Sequence, residues 1–392
     1  MLPLQGITVV SLEQAIAAPF ATRQLADLGA RVIKIERPEF GDFARVYDTT
    51  VNGLSSHFVW TNRSKESLTL DLKKPEGKEI LHRLLAEADV FVQNLAPGAV
   101  DRLGFGPSKL NELFPRLIVC GISGYGSSGP YWDKKAYDLL IQCESGLVAI
   151  TGTEETPSKA GIPVADIAAG MYAYSGILTA LIARGQTGKG VVMDVSMLEA
   201  LGEWMGFPLY YASYGGSDPK RTGASHATIY PYGPFSTGDQ KLVFFAIQNE
   251  REWENFCHNV LENSELITDD RFSGNLNRLN QKEILKNLID EVFQRFSAAE
   301  LIGRLEAAQI ANATLNTPME FFEHPQLKAR NRWREVDTPV GKVRALLPPV
   351  TMEEMDWVMA PVPAVGEHTA SILSELGFGP EIIENYKQDK VI

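Results

Sequence analysis

Cysteine is scarce in this sequence. The 392 residues contain three, and their spacing matches neither a disulfide framework nor a paired metal site: Cys120, Cys143 and Cys257. An odd number of scattered cysteines indicates free thiols in a reducing compartment. The histidines also lack the close spacing of metal ligands, so the sequence predicts no bound metal.

Positive charge is in deficit. Lys and Arg total 37 against 49 Asp and Glu, a formal net charge of −12. This balance argues against nucleic acid and anionic membranes as partners. The opening residues, MLPLQGITVVSL, contain neither a charged leader nor a cleavable apolar segment. The sequence therefore predicts no signal peptide and a cytoplasmic location.

A long uninterrupted apolar run is missing as well. The best candidate is GIPVADIAAGMYAYSGILTALIAR (161–184), in which 17 residues separate Asp166 from Arg184. A membrane span needs about 20 predominantly apolar residues, so we interpret this run as a buried helix. Asp166, the lone acid at its head, has three possible roles at this point: a helix cap, one half of a structural ion pair, or a reactive carboxylate.

The chain is long enough for two domains. Residues 1–210 alternate short apolar strands with helical patterns, which predicts an α/β fold with a doubly wound, largely parallel sheet. A polar stretch at 211–225 resembles a linker, and residues 225–330 are typical of a smaller α+β domain. We expect residues 331–392 to return to the large domain.

The glycines of a dinucleotide-binding turn are absent. After the first strand, a G-x-G-x-x-G motif would let the backbone approach a pyrophosphate, but the sequence there is EQAIAAPFA. The topology therefore predicts a Rossmann-like domain, whereas the turn argues against a nicotinamide dehydrogenase.

Seven segments together resemble the class III CoA-transferases, the family that includes formyl-CoA transferase, carnitine CoA-transferase and α-methylacyl-CoA racemase. The segments occur in the family's order over nearly the whole chain: LADLGARVIKIERPEFGD (25–42), NRSKESLTLDLKKPEG (62–77), VQNLAPGAVDRLG (92–104), GISGYGSSGPY (121–131), AYDLLIQCESGL (136–147), PVADIAAGMYA (163–173) and VGEHTASILSELGF (365–378). The resemblance implies an interlocked homodimer, with the active site between the large domain of one subunit and the small domain of the other.

Asp166 matches the catalytic carboxylate of this family. The resemblance implies that it attacks an acyl-CoA thioester to give a mixed anhydride and CoA thiolate, and that CoA then attacks the anhydride to leave an aspartyl-CoA thioester. We expect an ordinary pKa near 3.9, because the carboxylate is then already ionised at neutral pH. Apolar neighbours exclude the water that would hydrolyse the anhydride.

The resemblance also implies that a coenzyme A thioester binds as substrate, with no permanently bound cofactor. The matching positions are Arg37, Leu70, Lys73, Asn94, Leu95, Arg102 and Tyr137. The racemase branch has a catalytic His at position 137, where Tyr, with a pKa near 10, is a poor acid and base at neutral pH. Tyr137 therefore favours a transferase, and it either lines the thioester pocket or donates a hydrogen bond.

Two segments, GDFARVYD (41–48) and GLSSHFVWTNRSKESL (53–68), resemble the branch that uses succinyl-CoA and C4–C5 dicarboxylates such as itaconate, mesaconate, citramalate or malate. The small domain lacks the glycine-rich loop of the oxalate enzymes, so we expect oxalate to be a poor substrate. Candidates for binding the distal carboxylate are Arg45, Arg63, Arg221 and His226. An acyl-CoA racemase and a non-catalytic acyl-CoA-binding protein remain alternatives.

Overall fold

A computed structural model describes residues 2–392. The chain divides into two compact units, each described here by itself. The large unit comprises Met1–Leu147, Ala160–Phe207 and Leu327–Ile392, and the small unit comprises Val148–Lys159 and Pro208–Gln326. The small unit thus includes a segment that the sequence placed in the large domain.

The helices and strands alternate over the first half of the chain. Their bounds are β1 Thr8–Leu12, α1 Ala17–Asp27, β2 Arg31–Glu36, α2 Ser56–Asn62, β3 Lys65–Thr69, α3 Pro75–Glu87, β4 Val90–Gln93, α4 Ala99–Leu103, α5 Pro107–Leu113, β5 Ile118–Ser123, α6 Asp138–Glu144, α7 Leu147–Ile150, α8 Val164–Thr187, β6 Val192–Ser196 and α9 Met197–Trp204. A 3-10 turn, Phe43–Val46, lies between β2 and α2.

The second half is mostly helical with short antiparallel strands. Its elements are α10 Gly206–Gly215, β7 Tyr232–Ser236, β8 Leu242–Ala246, α11 Glu250–Asn259, α12 Asn275–Asn280, α13 Lys282–Phe293, α14 Ala298–Ala307, β9 Ala311–Thr314, α15 Pro318–Phe322, α16 Pro325–Ala329, β10 Trp333–Thr338, β11 Gly341–Leu346, α17 Thr369–Glu375 and α18 Pro380–Gln388. A second 3-10 turn spans Ser264–Ile267.

The large unit contains a six-stranded sheet in the order β3-β2-β1-β4-β5-β6. Every neighbouring pair in it is parallel. The predicted α/β fold with a doubly wound parallel sheet is therefore confirmed. The sequence analysis did not identify β3, because its residues, KESLT, include one apolar side chain and show no alternation of apolar and polar positions.

Side chains of successive strand residues enter different cores on the two faces of the sheet. Val9 and Val92 belong to the core that α1, α8 and α9 cover, whereas Val10 and Phe91 belong to the core that α3, α17 and α18 cover. This period of two, with apolar residues at consecutive positions, is typical of parallel strands buried on both faces.

The C-terminal segment forms part of the large unit through hydrogen bonds that it accepts from backbone amides of β3 and the residues after it. The Ser67 amide donates to His368 Nδ1 at 3.2 Å, the Thr69 amide to Thr369 Oγ1 at 3.0 Å, and the Asp71 amide to the Val391 carbonyl at 2.7 Å.

Helix α8 has 24 residues and is, by length and composition alone, apolar enough to cross a membrane. Core helices of globular domains meet the same criterion. Its buried residues are mostly small and pack in the core shared with α1 and α9: Ala165, Ala168, Ala169, Gly170, Ala173, Ile177, Ala180 and Arg184.

The small unit has a core of its own. Phe245, Phe256 and Phe293 form mutual ring contacts with centroids 4.9 to 6.3 Å apart, and they pack between the sheet β7-β8-β9 and helices α11, α13 and α14. The segment Val148–Lys159 joins this unit through Arg221, whose guanidinium donates to the carbonyls of Ala149, Thr153 and Glu154 at 2.7 to 3.0 Å.

Candidate active site

The carboxyl ends of the parallel strands lie along one edge of the large sheet. Strand order reverses between β1 and β4, and in open α/β sheets ligands bind in the crevice at such a reversal. Most of the positions matched to CoA binding follow the carboxyl ends of β2, β3 or β4, so the structure brings them to this edge: Arg37, Leu70, Lys73, Asn94, Leu95 and Arg102.

Three of these residues supply exposed positive charge at that edge: Arg37, Lys73 and Arg102. Within residues 2–392, the only side-chain contact recorded for the three is a 3.4 Å hydrogen bond from Arg102 Nη1 to the Pro97 carbonyl. Exposed guanidinium and ammonium groups suit the phosphates of a nucleotide. Leu70, by contrast, is buried in the sheet core.

Asn94 has a different task from the one its position suggested. Its Oδ1 accepts the Gln14 amide and its Nδ2 donates to the Gln14 carbonyl, both at 2.8 Å. The side-chain amide therefore holds the β1–α1 turn (residues 13–16) in place. It does not present these atoms to a ligand.

Asp166 lies in the first turn of α8, but another acid caps that helix. Oδ1 of Asp138, at the start of α6, accepts the Ala165 amide at 2.8 Å and the Asp166 amide at 3.4 Å. Asp138 is held in turn by Gln142, whose Nε2 donates to Oδ2 at 2.7 Å. The capping role considered for Asp166 thus belongs to Asp138, which leaves the Asp166 carboxylate free for chemistry.

Burial, together with the negative charge of Asp138, raises the pKa of Asp166 to about 7. The ordinary pKa that we expected is therefore wrong for this site. The sequence showed that Asp166 has apolar neighbours. It could not show that the carboxylate of Asp138, 28 residues earlier in the chain, lies near it. A carboxylate with a raised pKa is more basic and, when ionised, a stronger nucleophile.

The helix face that carries Asp166 points towards the start of α1. Asp166 and Gly170 are four residues apart and so share one face of α8. A Cβ atom on Gly170 would lie 2.7 Å from the Ala17 carbonyl oxygen and 3.0 Å from the Phe20 ring. The β1–α1 turn, which directly precedes Ala17, therefore lies near Asp166.

Two tyrosines belong to the surroundings of Asp166. Tyr137 precedes α6 and is 69% exposed. Tyr47 follows the 3-10 turn Phe43–Val46, and burial, assisted by the charges of Asp42, Asp166 and Tyr137, raises its pKa to about 12. Tyr47 therefore keeps its proton and can donate a hydrogen bond. The sequence analysis did not single it out, because its proximity to Asp166 depends on the fold.

Both arginines proposed for a distal carboxylate in the large unit have internal partners. Nε and Nη2 of Arg45 contact Glu36 at 3.0 and 2.7 Å. The same atoms of Arg63 contact Asp27 at 2.9 and 2.7 Å, and Arg63 is buried. These bidentate pairs stabilise the fold and remove our reason for proposing either guanidinium as a substrate ligand.

Arg221 and His226 lie in the small unit. The three guanidinium nitrogens of Arg221 all donate to backbone carbonyls, so this side chain too has a structural task. His226 is exposed and stacks on Tyr232, with ring centroids 5.0 Å apart. Its Nδ1 accepts the amides of Thr228 and Ile229, which places the proton of the neutral ring on Nε2.

A buried charge cluster, missed by the sequence analysis, lies behind the β1–α1 turn. It consists of Glu13, Lys34, Asp42 and Lys65, all 3% exposed or less. Burial alone would raise the pKa of Glu13, but the ammonium groups of Lys65 and Lys34 lower it to about 2. No group of three or more metal-binding side chains occurs in the part of the chain that the structure describes.

A profile of CoA-transferase family III matches residues 4–369. Succinyl-CoA:glutarate CoA-transferase from Homo sapiens is 34% identical over 95% of this chain and 86% of its own length. Acetyl-CoA:oxalate CoA-transferase from Acetobacter aceti is 35% identical over 84% of this chain and 85% of its own length.

The solved structures give the same result. A CAIB/BAIF family protein from Brucella suis superposes with a TM-score of 0.84 at 33% identity, covering 96% of this chain and 99% of that one. The matched profile and these relatives lead to one conclusion: the chain belongs to CoA-transferase family III.

Proposed function

We propose that this enzyme transfers CoA from succinyl-CoA to a C4–C5 dicarboxylate, with Asp166 as the nucleophile. One observation carries the proposal: Asp166 is a half-buried carboxylate at the start of a helix that a second acid already caps. Among residues 2–392, no side chain or amide donates a hydrogen bond to its carboxylate. The carboxylate can therefore react without losing a contact that stabilises the fold.

The reaction proceeds in balanced steps. The ionised Asp166 oxygen attacks the thioester carbonyl, and the C–S bond breaks to give an acyl-aspartyl anhydride and CoA thiolate. The thiolate attacks the aspartyl carbonyl, which releases succinate and leaves an aspartyl-CoA thioester. The acceptor carboxylate then repeats these steps in reverse and leaves as the new acyl-CoA.

The acceptor is the finer part of the proposal. Itaconate, mesaconate, citramalate and malate fit the expected C4–C5 class. Glutarate, the acid in the name of the human relative, fits it as well. Oxalate, the acid in the name of the Acetobacter aceti relative, is the C2 alternative acceptor. Of the four side chains considered for the distal carboxylate, His226 is the exposed one, and its Nδ1 accepts two amides while Nε2 has no contact within the described residues, so we propose it for this contact.

The test measures succinyl-CoA consumption with each of these six acids, using wild type and Asp166→Ala. We expect transfer to one C4–C5 dicarboxylate, none with Asp166→Ala, and a CoA adduct on the peptide containing Asp166 in the wild type alone. His226→Ala should raise KM for the acceptor about tenfold with little change for succinyl-CoA. Activity retained by Asp166→Ala, or preference for oxalate, would contradict the proposal.

We also propose a cytoplasmic homodimer. Free cysteine thiols support the location, since Cys120, Cys143 and Cys257 are all unpaired. Exposed apolar side chains along the edge strand β6 and the adjoining α8 support the dimer, among them Val191, Val192 and Ile182, which are 42 to 68% exposed. Sedimentation equilibrium at twice the 43.2 kDa chain mass would confirm the dimer, and a monomer mass would refute it.

A further inference from the structure

Asp42 connects three parts of the large unit that are distant in sequence. Oδ1 of this fully buried residue accepts the Ala15 amide at 3.1 Å and the Ala44 amide at 2.8 Å. Oδ2 accepts a hydrogen bond from Lys34 Nζ at 2.7 Å. One carboxylate therefore fixes the β1–α1 turn, begins the 3-10 turn Phe43–Val46 and pairs with a buried ammonium.

The β1–α1 turn needs such support because its backbone is strained. Ala15 has a φ of +61°, a left-handed conformation that costs an L-residue about 1 kcal/mol. Strained conformations of this kind persist only where surrounding contacts enforce them, and they cluster at functional sites. Here Asn94 holds the Gln14 backbone from the β4 side, and Asp42 holds the Ala15 amide from the β2 side.

Both turns that Asp42 holds lie near Asp166. The β1–α1 turn leads directly into Ala17, which packs against Gly170 on the Asp166 face of α8. The Phe43–Val46 turn leads directly into Tyr47, whose ionisation is opposed by the charge of Asp166. A shift of Asp42 would therefore displace both the β1–α1 turn and Tyr47 relative to Asp166.

The other members of the buried charge cluster fix the position of Asp42. Lys34 Nζ lies 3.4 Å from Glu13 as well as 2.7 Å from Asp42, and Lys65 Nζ contacts the same Glu13 oxygen at 2.6 Å. Buried charges contribute little net stability, yet removing one partner leaves another charge unpaired at a cost of about 3–5 kcal/mol. Such a cluster is rigid, because every member has a fixed partner.

We propose that Asp42 is a positioning residue for CoA transfer, which holds the β1–α1 turn and Tyr47 in the arrangement that Asp166 needs to react. The inference rests on the proposed nucleophilic role of Asp166, but not on the identity of the acceptor. Misplacement of a reacting group by about 1 Å can lower a rate about 100-fold, so loss of this support should be visible in kcat.

The test is Asp42→Asn. The substitution keeps the size of the side chain, but it either places an NH2 group against Lys34 or loses the acceptor for Ala15. We expect the rate of CoA-adduct formation from succinyl-CoA alone to fall about 10- to 100-fold, with KM within about threefold. Hydrogen exchange of the Ala15 amide should accelerate. Adding Ala15→Gly should restore part of the lost rate, because glycine adopts the left-handed conformation without cost.

Asp27→Asn is the matched control. Asp27 is equally buried and pairs with Arg23 and Arg63, but it touches neither turn. Its loss should lower stability while the rate per folded molecule stays within about threefold of wild type. If Asp42→Asn unfolds the protein, Lys34→Met/Asp42→Ala removes both charges and the Ala15 acceptor together and should show the same kinetic defect.

Two results would overturn the inference: an unchanged rate with unchanged Ala15 exchange in Asp42→Asn, or an equal loss of rate in Asp27→Asn. The half-reaction needs no acceptor, so a wrong acceptor would not affect it. If the wild type formed no adduct at all, the proposed function would fail. The exchange measurement would then decide separately whether Asp42 holds the turn.

Discussion

Asp138 and Asp166 are both acids near the start of α8, but only Asp138 caps the helix. Asp138 receives the amides of α8 and the Gln142 side chain, so its charge is stabilised by three hydrogen bonds. Burial, together with that nearby charge, raises the pKa of Asp166 to about 7. The result is one acid that caps the helix beside one acid that titrates near neutral pH.

The transfer rate should therefore fall as the pH drops through about 7, because protonated Asp166 is not a nucleophile. Asp138→Asn keeps an acceptor for the α8 amides but removes the negative charge, so we expect the acidic limb of the pH–rate profile to move down by about one pH unit. Stopped-flow measurement of adduct formation between pH 5 and 9 would show the shift.

Glu79→Gln serves as the control for that experiment, since Glu79 is exposed and pairs with the neighbouring exposed Arg83, and its loss should leave the profile unchanged. An acidic limb that stays in place in Asp138→Asn would mean that burial alone sets the pKa of Asp166.

At the scale of elements, the close approach of α1 and α8 determines where Asp166 faces. Gly170 makes that approach possible, because any side chain there would meet the Ala17 carbonyl at 2.7 Å. The start of α1, the turn before it and the Asp166 face of α8 consequently form one packed group. The geometry around Asp166, the proposed nucleophile, therefore depends on a helix–helix distance as much as on any single contact.

Gly170→Ala should force the two helices apart, destabilise the protein by about 1–3 kcal/mol and lower kcat. Gly185→Ala is the control in the same helix: nothing lies within 4 Å of its added Cβ, and alanine should stabilise the helix by up to about 1 kcal/mol. Urea unfolding and adduct kinetics measure both effects. Equal stability of the two variants would show that the helix pair tolerates a wider spacing.

The elements also show what local sequence can predict. The strands β1, β2, β4, β5 and β6 and the helices α1, α3 and α8 form the alternation of strands and helices that the sequence predicted for residues 1–210. The cap on α8 could not be predicted, because its acceptor lies 27 residues from the Ala165 amide. The internal ion pair of Arg63 could not be predicted for the same reason, because its partner lies 36 residues away in the sequence.

For the whole molecule, the sequence analysis predicted the parallel sheet more successfully than the contacts around the candidate site. The lone acid before a long apolar run drew attention to Asp166, but the proposed roles of both Asp166 and Arg37 came from the resemblance to the class III CoA-transferases. Asn94 was found as a site residue, but its task is to hold a turn. Residue type and position are local properties, whereas hydrogen-bond partners depend on the complete topology.

The division into units differs from the predicted domains at Val148–Lys159. Arg221→Ala removes three hydrogen bonds to that segment, so we expect trypsin to cleave after Lys159 roughly tenfold faster, the effect of losing about 1.4 kcal/mol of local stability. Arg271→Ala is the control, because Arg271 pairs with Asp269 only two residues away. Equal cleavage rates would mean that other contacts hold the segment.

The hydrogen bond from Ala15 to Asp42 has a consequence for how coenzyme A can lie on this fold. In dinucleotide-binding proteins of the same strand order, the amides of the turn after β1 receive a pyrophosphate. Here an anion from within the chain already occupies that place. A phosphate competing for the Ala15 amide would have to displace a buried, charge-paired carboxylate. The phosphates of CoA should therefore bind farther along the edge, at Arg37 and Lys73, and the same strand order serves a different nucleotide.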